Sequence, residues 1–210
     1  MNLTDLLGLH PDDASFTQHI SALTSAAARD APVAPEIKSY SDAVYFNYFA
    51  LGLSVLFSPT DGYKPSAGAK STDLKTDKLV LDSIYIYNVP TQAGSRKRAA
   101  ELAFTTYPIS PIALVIKPKN DDAEGDAPSR PPQLDVGLDT AGKQFVAALG
   151  EPDRKGGGAG PSSGSIGIWC EWSKDGIMVE FGGDEAQGPQ AWERGKDAIW
   201  KIITLFSPAQ

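Results

Sequence analysis

The sequence predicts an α+β protein: an antiparallel sheet with helices packed on one face, arranged as a tandem repeat of helix–hairpin–strand units. Three observations carry this. Four segments dense in aromatic and β-branched residues read as strands. Only a few segments have the spacing of an amphipathic helix. Residues 45–57 and 169–181 repeat one pattern of aromatic, turn and alternating apolar positions. A chain of 210 residues with 41 % hydrophobic and 21 % charged residues has the composition of a folded protein and excludes wholesale disorder.

In chain order, "LTDLLG" predicts a short opening helix, and "DDASFTQHISALTSAAARD" predicts a longer one capped by Asp12 or Asp13. Its Phe16, Ile20 and Leu23 recur at spacings of four and three and so share one face. "AVYFNYFALGLSVLF" at 43–57 follows; Gly52 marks a tight turn, so the segment reads as two strands. Alternation places Tyr45 and Phe49 opposite Phe46 and Tyr48. "SPTDGYKPSAGAKSTDLKTD" at 58–77 has no hydrophobic period and reads as a long loop. "KLVLDSIYIYNV" at 78–89 is the third strand, with Ile84 and Ile86 turned inward and Tyr85 and Tyr87 outward.

"KPKNDDAEGDAPSRPPQ" at 117–133 is the best boundary, which divides the chain into a first α+β repeat at 1–116, a linker or long loop at 117–133 and a second repeat at 134–210, together one compact domain. In the second half "DTAGKQFVAALG" predicts a helix from Asp139 to Gly150, with Phe145 and Leu149 four apart. "GIWCEWSKDGIMVEF" at 167–181 is a hairpin around "SKDG", and "AIWKIITLF" at 198–206 is the closing strand.

Laid on each other without a gap, the two hairpins match Tyr45 with Trp169, Tyr48 with Trp172, Gly52 with Gly176, Val55 with Val179 and Phe57 with Phe181. Each is preceded by a Leu-Gly stretch, "LLGLHPDD" at 6–13 and "ALGEPDRK" at 148–155. The run Leu149, Gly150, Pro152, Asp153, then Trp169, Trp172, Gly176, Val179 and Phe181 resembles the modules of the small protein A outer-membrane lipoproteins and of the tandem-repeat β-lactamase inhibitor proteins. The resemblance covers the second half well and the first only partly. It implies non-enzymatic protein binding by a sheet face. Those families are exported, whereas "MNLTDLLGLHPDD" has neither an export signal nor a lipidation cysteine, so a cytoplasmic location is expected here.

Several functions are excluded. A net charge of −7 opposes broad capture of nucleic acid, and the basic cluster Arg96-Lys97-Arg98 is too short to reverse that. No apolar run reaches the length of a membrane-spanning helix. The glycine run "GGGAGPSSGS" at 156–165 follows a helix and precedes a strand, the reverse of a phosphate-cradling loop, and reads as a flexible insertion. Cys170, the single cysteine, has only His10 and His19 as nucleophile partners, and neither lies in a catalytic motif. Two histidines and one cysteine far apart do not make a zinc site. Glu171 and Glu180 read as outward solubility charges. No catalytic residue, metal or cofactor is therefore assigned.

What remains is aromatic density. Tyr45, Tyr48, Tyr85, Tyr87, Trp169 and Trp172 are the candidate binding residues of a non-enzymatic, inhibitor- or immunity-like adaptor that binds another protein, or a second copy of itself, through a sheet face. The alternative is a small-molecule-binding protein or small enzyme with a pocket between the two repeats, lined by Trp172, Tyr48 and Tyr87.

Overall fold

A computed structural model describes residues 2–89, 103–116, 130–158 and 167–208. The chain forms two compact units, one built on Leu3–Ile109 with Ile202–Ser207 and the other on Ser110–Lys201. The basic cluster at 96–98 lies outside the described residues.

The first unit opens with a single 3-10 turn at Leu3–Leu6, shorter than the helix its sequence predicts. Helix α1 (Ala14–Ala26) follows, with Phe16 and Leu23 buried and Ile20 half-buried. Asp13 stands at its N-cap, but its carboxylate accepts the backbone N–H of His10 at 2.6 Å rather than capping the helix. Four strands come next: β1 (Glu36–Ser39), β2 (Val44–Tyr48), β3 (Leu53–Pro59) and β4 (Leu79–Tyr87). Each pairs antiparallel with the next. Strand β1 was not foreseen, because "EIKS" is too short to display a period.

The turn between β2 and β3 is a 3-10 turn at Phe49–Leu51, closed by Gly52 at φ +57°. Glycine is required there twice over: the left-handed backbone disfavours a side chain, and a Cβ would strike the backbone of Thr105–Tyr107. A bulge in β4 has an equally local cause. Leu81 and Ile84 are three apart and would face opposite sides of a regular strand. Leu56 pairs with Ser83 and Phe57 with Leu81, so Asp82 is the extra residue and both apolar side chains reach the core. Helix α1 seals that core through Phe16, whose ring meets Phe57 edge-on at 5.6 Å, while Phe57 meets Phe46 at 5.0 Å. Of the 58–77 segment, Ser58 and Pro59 extend β3 and the rest is a loop with two 3-10 turns, which contributes Leu74 to the interior.

In the second unit, β5 (Ile112–Val115) and β6 (Gln133–Val136) form a separate antiparallel pair. The 117–133 segment expected to divide the repeats is therefore flanked by the two arms of one hairpin; its residues 117–129 lie outside the described residues. Helix α2 (Gly142–Leu149) starts three residues after Asp139, where the sequence placed it. The delay has a physical reason: Trp200 N–H donates to the Thr140 carbonyl and Gly142 N–H to the Ala198 carbonyl, so these backbone groups serve strand pairing instead. Gly150 ends the helix at φ +81°.

Strands β7 (Arg154–Gly156), β8 (Trp169–Trp172) and β9 (Ile177–Phe181) follow, then a short helix α3 (Ala191–Arg194) and β10 (Trp200–Phe206). The "SKDG" turn has Gly176 at φ +70°. Phe145 of α2 meets Phe181 edge-on at 5.9 Å. The glycine run is not wholly a free insertion. Gly156 pairs with Trp169 and has no room for a Cβ beneath the indole, and Gly158 packs against Ile168 and Ala191. Residues 159–166 lie outside the described residues.

Hydrogen bonding orders the large sheet β1-β2-β3-β4-β10-β9-β8-β7, eight strands in all. No helix among the described residues is long and apolar enough to cross a membrane. The two Leu-Gly stretches matched by sequence are not equivalent: Leu7-Gly8 precedes α1, whereas Leu149-Gly150 ends α2.

Candidate functional site: an aromatic groove on the first unit

The pleat sorts each strand of the first unit into two faces. Val44, Phe46 and Tyr48 of β2 join Leu53, Val55, Phe57, Ile84 and Ile86 in the core. Tyr45 and Asn47 point to the other face, with Ser54 and Leu56 of β3, Ser83, Tyr85 and Tyr87 of β4, and Ile202 and Thr204 of β10. Register makes them neighbours: Asn47 lies opposite Ser54, Ser54 opposite Tyr85, Tyr85 opposite Thr204, and Tyr87 opposite Ile202. The small polar residues are buried beneath the tyrosines, and Ser54 Oγ donates to Asn47 Oδ1 at 2.7 Å, which satisfies both.

Above this floor the rings form two sets. Tyr40 meets Tyr45 edge-on at 6.2 Å, and Tyr45 meets Tyr85 at 6.4 Å. Phe104 stacks on Tyr87 with ring centres 3.8 Å apart and planes within 5°, and its other neighbour is Phe49 at 4.6 Å. Phe104 is held there by backbone pairing on either side, since Thr105 N–H donates to the Phe49 carbonyl and Tyr107 N–H to that of Tyr87. Between the sets runs a groove of about 580 Å³, with Lys38 and Asp42 at its rim and Asn47 on its floor. Tyr40 is half exposed, at 51 %. Burial, then Tyr40 and the carboxylates of Asp42 and Asp82, pushes the Tyr45 phenol above its ordinary value and keeps it a hydrogen-bond donor.

The six sequence-predicted residues divide unevenly. Tyr45 and Tyr87 line the groove, and Tyr85 of β4 meets Tyr45 of β2 across the intervening β3. Tyr48 is a correction: it is 5 % exposed on the core face, opposite Leu53, and burial holds its phenol far above the usual range. Trp172 is another, 2 % exposed with its Nε1–H donated to the Gly150 carbonyl at 2.8 Å. Both presented an aromatic pattern without the information that their side of the strand is covered. Trp169 is half-buried against Gly156 in the second unit. Tyr40 and Phe104 were missed. Tyr40 stands alone after a four-residue strand, and Phe104 follows a stretch with no hydrophobic period.

The groove offers rings, hydroxyls and one charge of each sign. His10 Nδ1 lies 2.8 Å from the Leu79 carbonyl, and His19 Nε2 lies 3.5 Å from the Tyr107 hydroxyl. Burial lowers the His19 pKa, which keeps its imidazole neutral at pH 7, and raises that of the Cys170 thiol to about 11, which leaves it protonated and a weak nucleophile at neutral pH. Among the described residues, no cluster of three or more His, Cys, Asp or Glu is placed to hold a metal ion. In comparisons with protein-family models, curated proteins and solved structures, nothing matches this chain.

Proposed function

We propose that this protein is a non-enzymatic, cytoplasmic binding module of adaptor or inhibitor type, which docks a segment of another protein in the aromatic groove of its first unit. The carrying observation is the ring-lined groove itself, where Tyr40, Tyr45 and Tyr87 contribute rings and hydroxyls and the buried Phe104 backs Tyr87. Rings of this kind give contact area at low entropic cost, and tyrosine is enriched at protein interfaces for that reason.

The stretches 3–87 and 140–206 are further proposed to be copies of one module. Both run helix, edge strand, hairpin and closing strand, both place glycine at positive φ in the hairpin turn, and both pack a helix phenylalanine edge-on against the phenylalanine that follows. In each, the chain ahead of the helix bonds to the start of the closing strand, at Gly8–Leu81 and at Thr140–Trp200.

The test is affinity capture from the native host with the wild-type chain and a Tyr45→Ala/Tyr87→Ala double variant, read by mass spectrometry and by sedimentation. Proteins retained by the wild type and lost by the folded variant are the expected result. An identical captured set for both overturns the groove as the docking site, and a wild type that captures only itself replaces the partner by a second copy of this chain.

A further inference from the structure

The second unit has a cavity of its own, of about 430 Å³, on the helix side of its strands. Its floor is apolar: Val146 and Ala147 of α2, Ile168 and Cys170 at β8, and Phe181 at the end of β9. Its size falls within the range of small-molecule sites. The rim is where the chemistry lies. Lys143, Lys155 and Lys196 all line the mouth against a single carboxylate, Glu151, in a chain whose net charge is −7. Lys143 shares its charge with Asp197 at 2.9 Å, but both ends of that pair are more than half exposed and water screens it. Lys155 lies opposite Cys170 in the strand register, and its ammonium sits 5.7 Å from the ring centre of Trp192, itself 45 % exposed. This contact places a cation over the cavity entrance beside an exposed indole.

An apolar floor under a lysine rim selects its occupant by charge. A carboxylate at the mouth gains charge-assisted hydrogen bonds from the ammonium groups that a neutral hydrocarbon cannot make, and a cation is repelled. We infer that this cavity binds a small organic anion with an apolar body, of the class of a medium-chain carboxylate: the chain lies against Val146, Ile168 and Phe181, and the carboxylate meets Lys155 and Lys196 at the mouth. This site is on the other unit from the aromatic groove and stands independently of the reading proposed for it.

Decanoate is the probe, titrated into the whole chain and followed by amide chemical shifts, with decanol and decyltrimethylammonium as neutral and cationic controls. Saturable shifts at Val146, Ala147, Ile168 and Cys170 are expected with decanoate, with decanol at least tenfold weaker and the cation without effect. Ala147 is exposed at the cavity wall, so Ala147→Trp should close the cavity and abolish the shifts at an unchanged thermal midpoint. Lys155→Glu should weaken decanoate at least tenfold and leave decanol unchanged, which gives a second reading should the tryptophan variant fold poorly. Equal affinity for decanoate and decanol, or shifts that persist in Ala147→Trp, would overturn the assignment.

Discussion

The two hairpin turns that carry a glycine at positive φ, one in each unit, are secured by different means. In the first, Phe49–Leu51 is locked from outside: Thr105 donates both its N–H and its hydroxyl to the Phe49 carbonyl, and the chain at 105–107 presses on Gly52 so closely that no side chain fits. In the second, the "SKDG" turn is held by charge. Arg130 donates to Asp175 Oδ2 at 2.6 Å and to the Leu149 carbonyl at 2.8 Å, with side-chain exposures of only 14 % and 5 % for the pair. The helices differ as well. At 13 residues α1 is about 20 Å long and at eight residues α2 is about 12 Å. The lysine-rimmed cavity lies beside the shorter helix, between Lys143, Val146 and Ala147 of α2 and the chain at Trp192–Lys196. The first unit thus carries an aromatic groove and the second an apolar cavity.

Substitution sharpens this contrast. Gly52→Val should cost at least about 4 kcal/mol, because strain at positive φ is added to a collision with backbone that cannot yield. Gly176→Val places a β-branched side chain at φ +70° and should cost about 2 kcal/mol from that strain. Chemical denaturation measures both, and equal losses would show that the packing at Gly52 is not what distinguishes the turns.

Phe57→Ala should cost about 4 kcal/mol and Phe181→Ala about 3. Phe57 is fully buried between Phe16 and Phe46, whereas Phe181 already borders the cavity on one side. The reverse order in denaturant melts would contradict the cavity as open space. Arg130→Ala should cost about 3 kcal/mol, since it leaves the Asp175 carboxylate buried without its cation. A loss below about 1 kcal/mol would mean that the turn stands without its clamp.

The smallest effect is on pH. Burial lowers the His19 pKa below 6.5, so on acidification the unfolded chain takes up a proton before the native one does. Stability contributed by the neutral imidazole is complete above pH 6.5 and is lost as pH falls through the lowered native value. Both histidines belong to the first unit. His19→Gln should therefore flatten part of the decline in thermal midpoint below pH 6.5, and an unchanged slope would assign the acid sensitivity to other groups.

Much of this was legible from local pattern. The alternation at Ile84-Tyr85-Ile86-Tyr87 and the opposition of Tyr45 and Phe49 to Phe46 and Tyr48 match the faces the strands present. Both turn glycines stand at positive φ, as the hairpin pattern requires. Strands β1 and β7 escaped notice because four and three residues are too few to establish a period and because edge strands bury little. The candidate site was half legible: Tyr45, Tyr85 and Tyr87 came from alternation, while Tyr40 and Phe104 are brought in by loops whose course no local rule predicts.

By itself, then, the sequence determined which side of its strand each aromatic residue takes and where the backbone must turn left-handed, since both follow from the two-residue pleat and from the missing Cβ of glycine. Which of those sides is covered was decided by the tertiary structure alone. Tyr48 and Trp172 are in the core and Tyr45 is in a groove because of what packs above them, and that depends on contacts between residues far apart in the chain, such as Thr105 with Phe49 and Gly150 with Trp172.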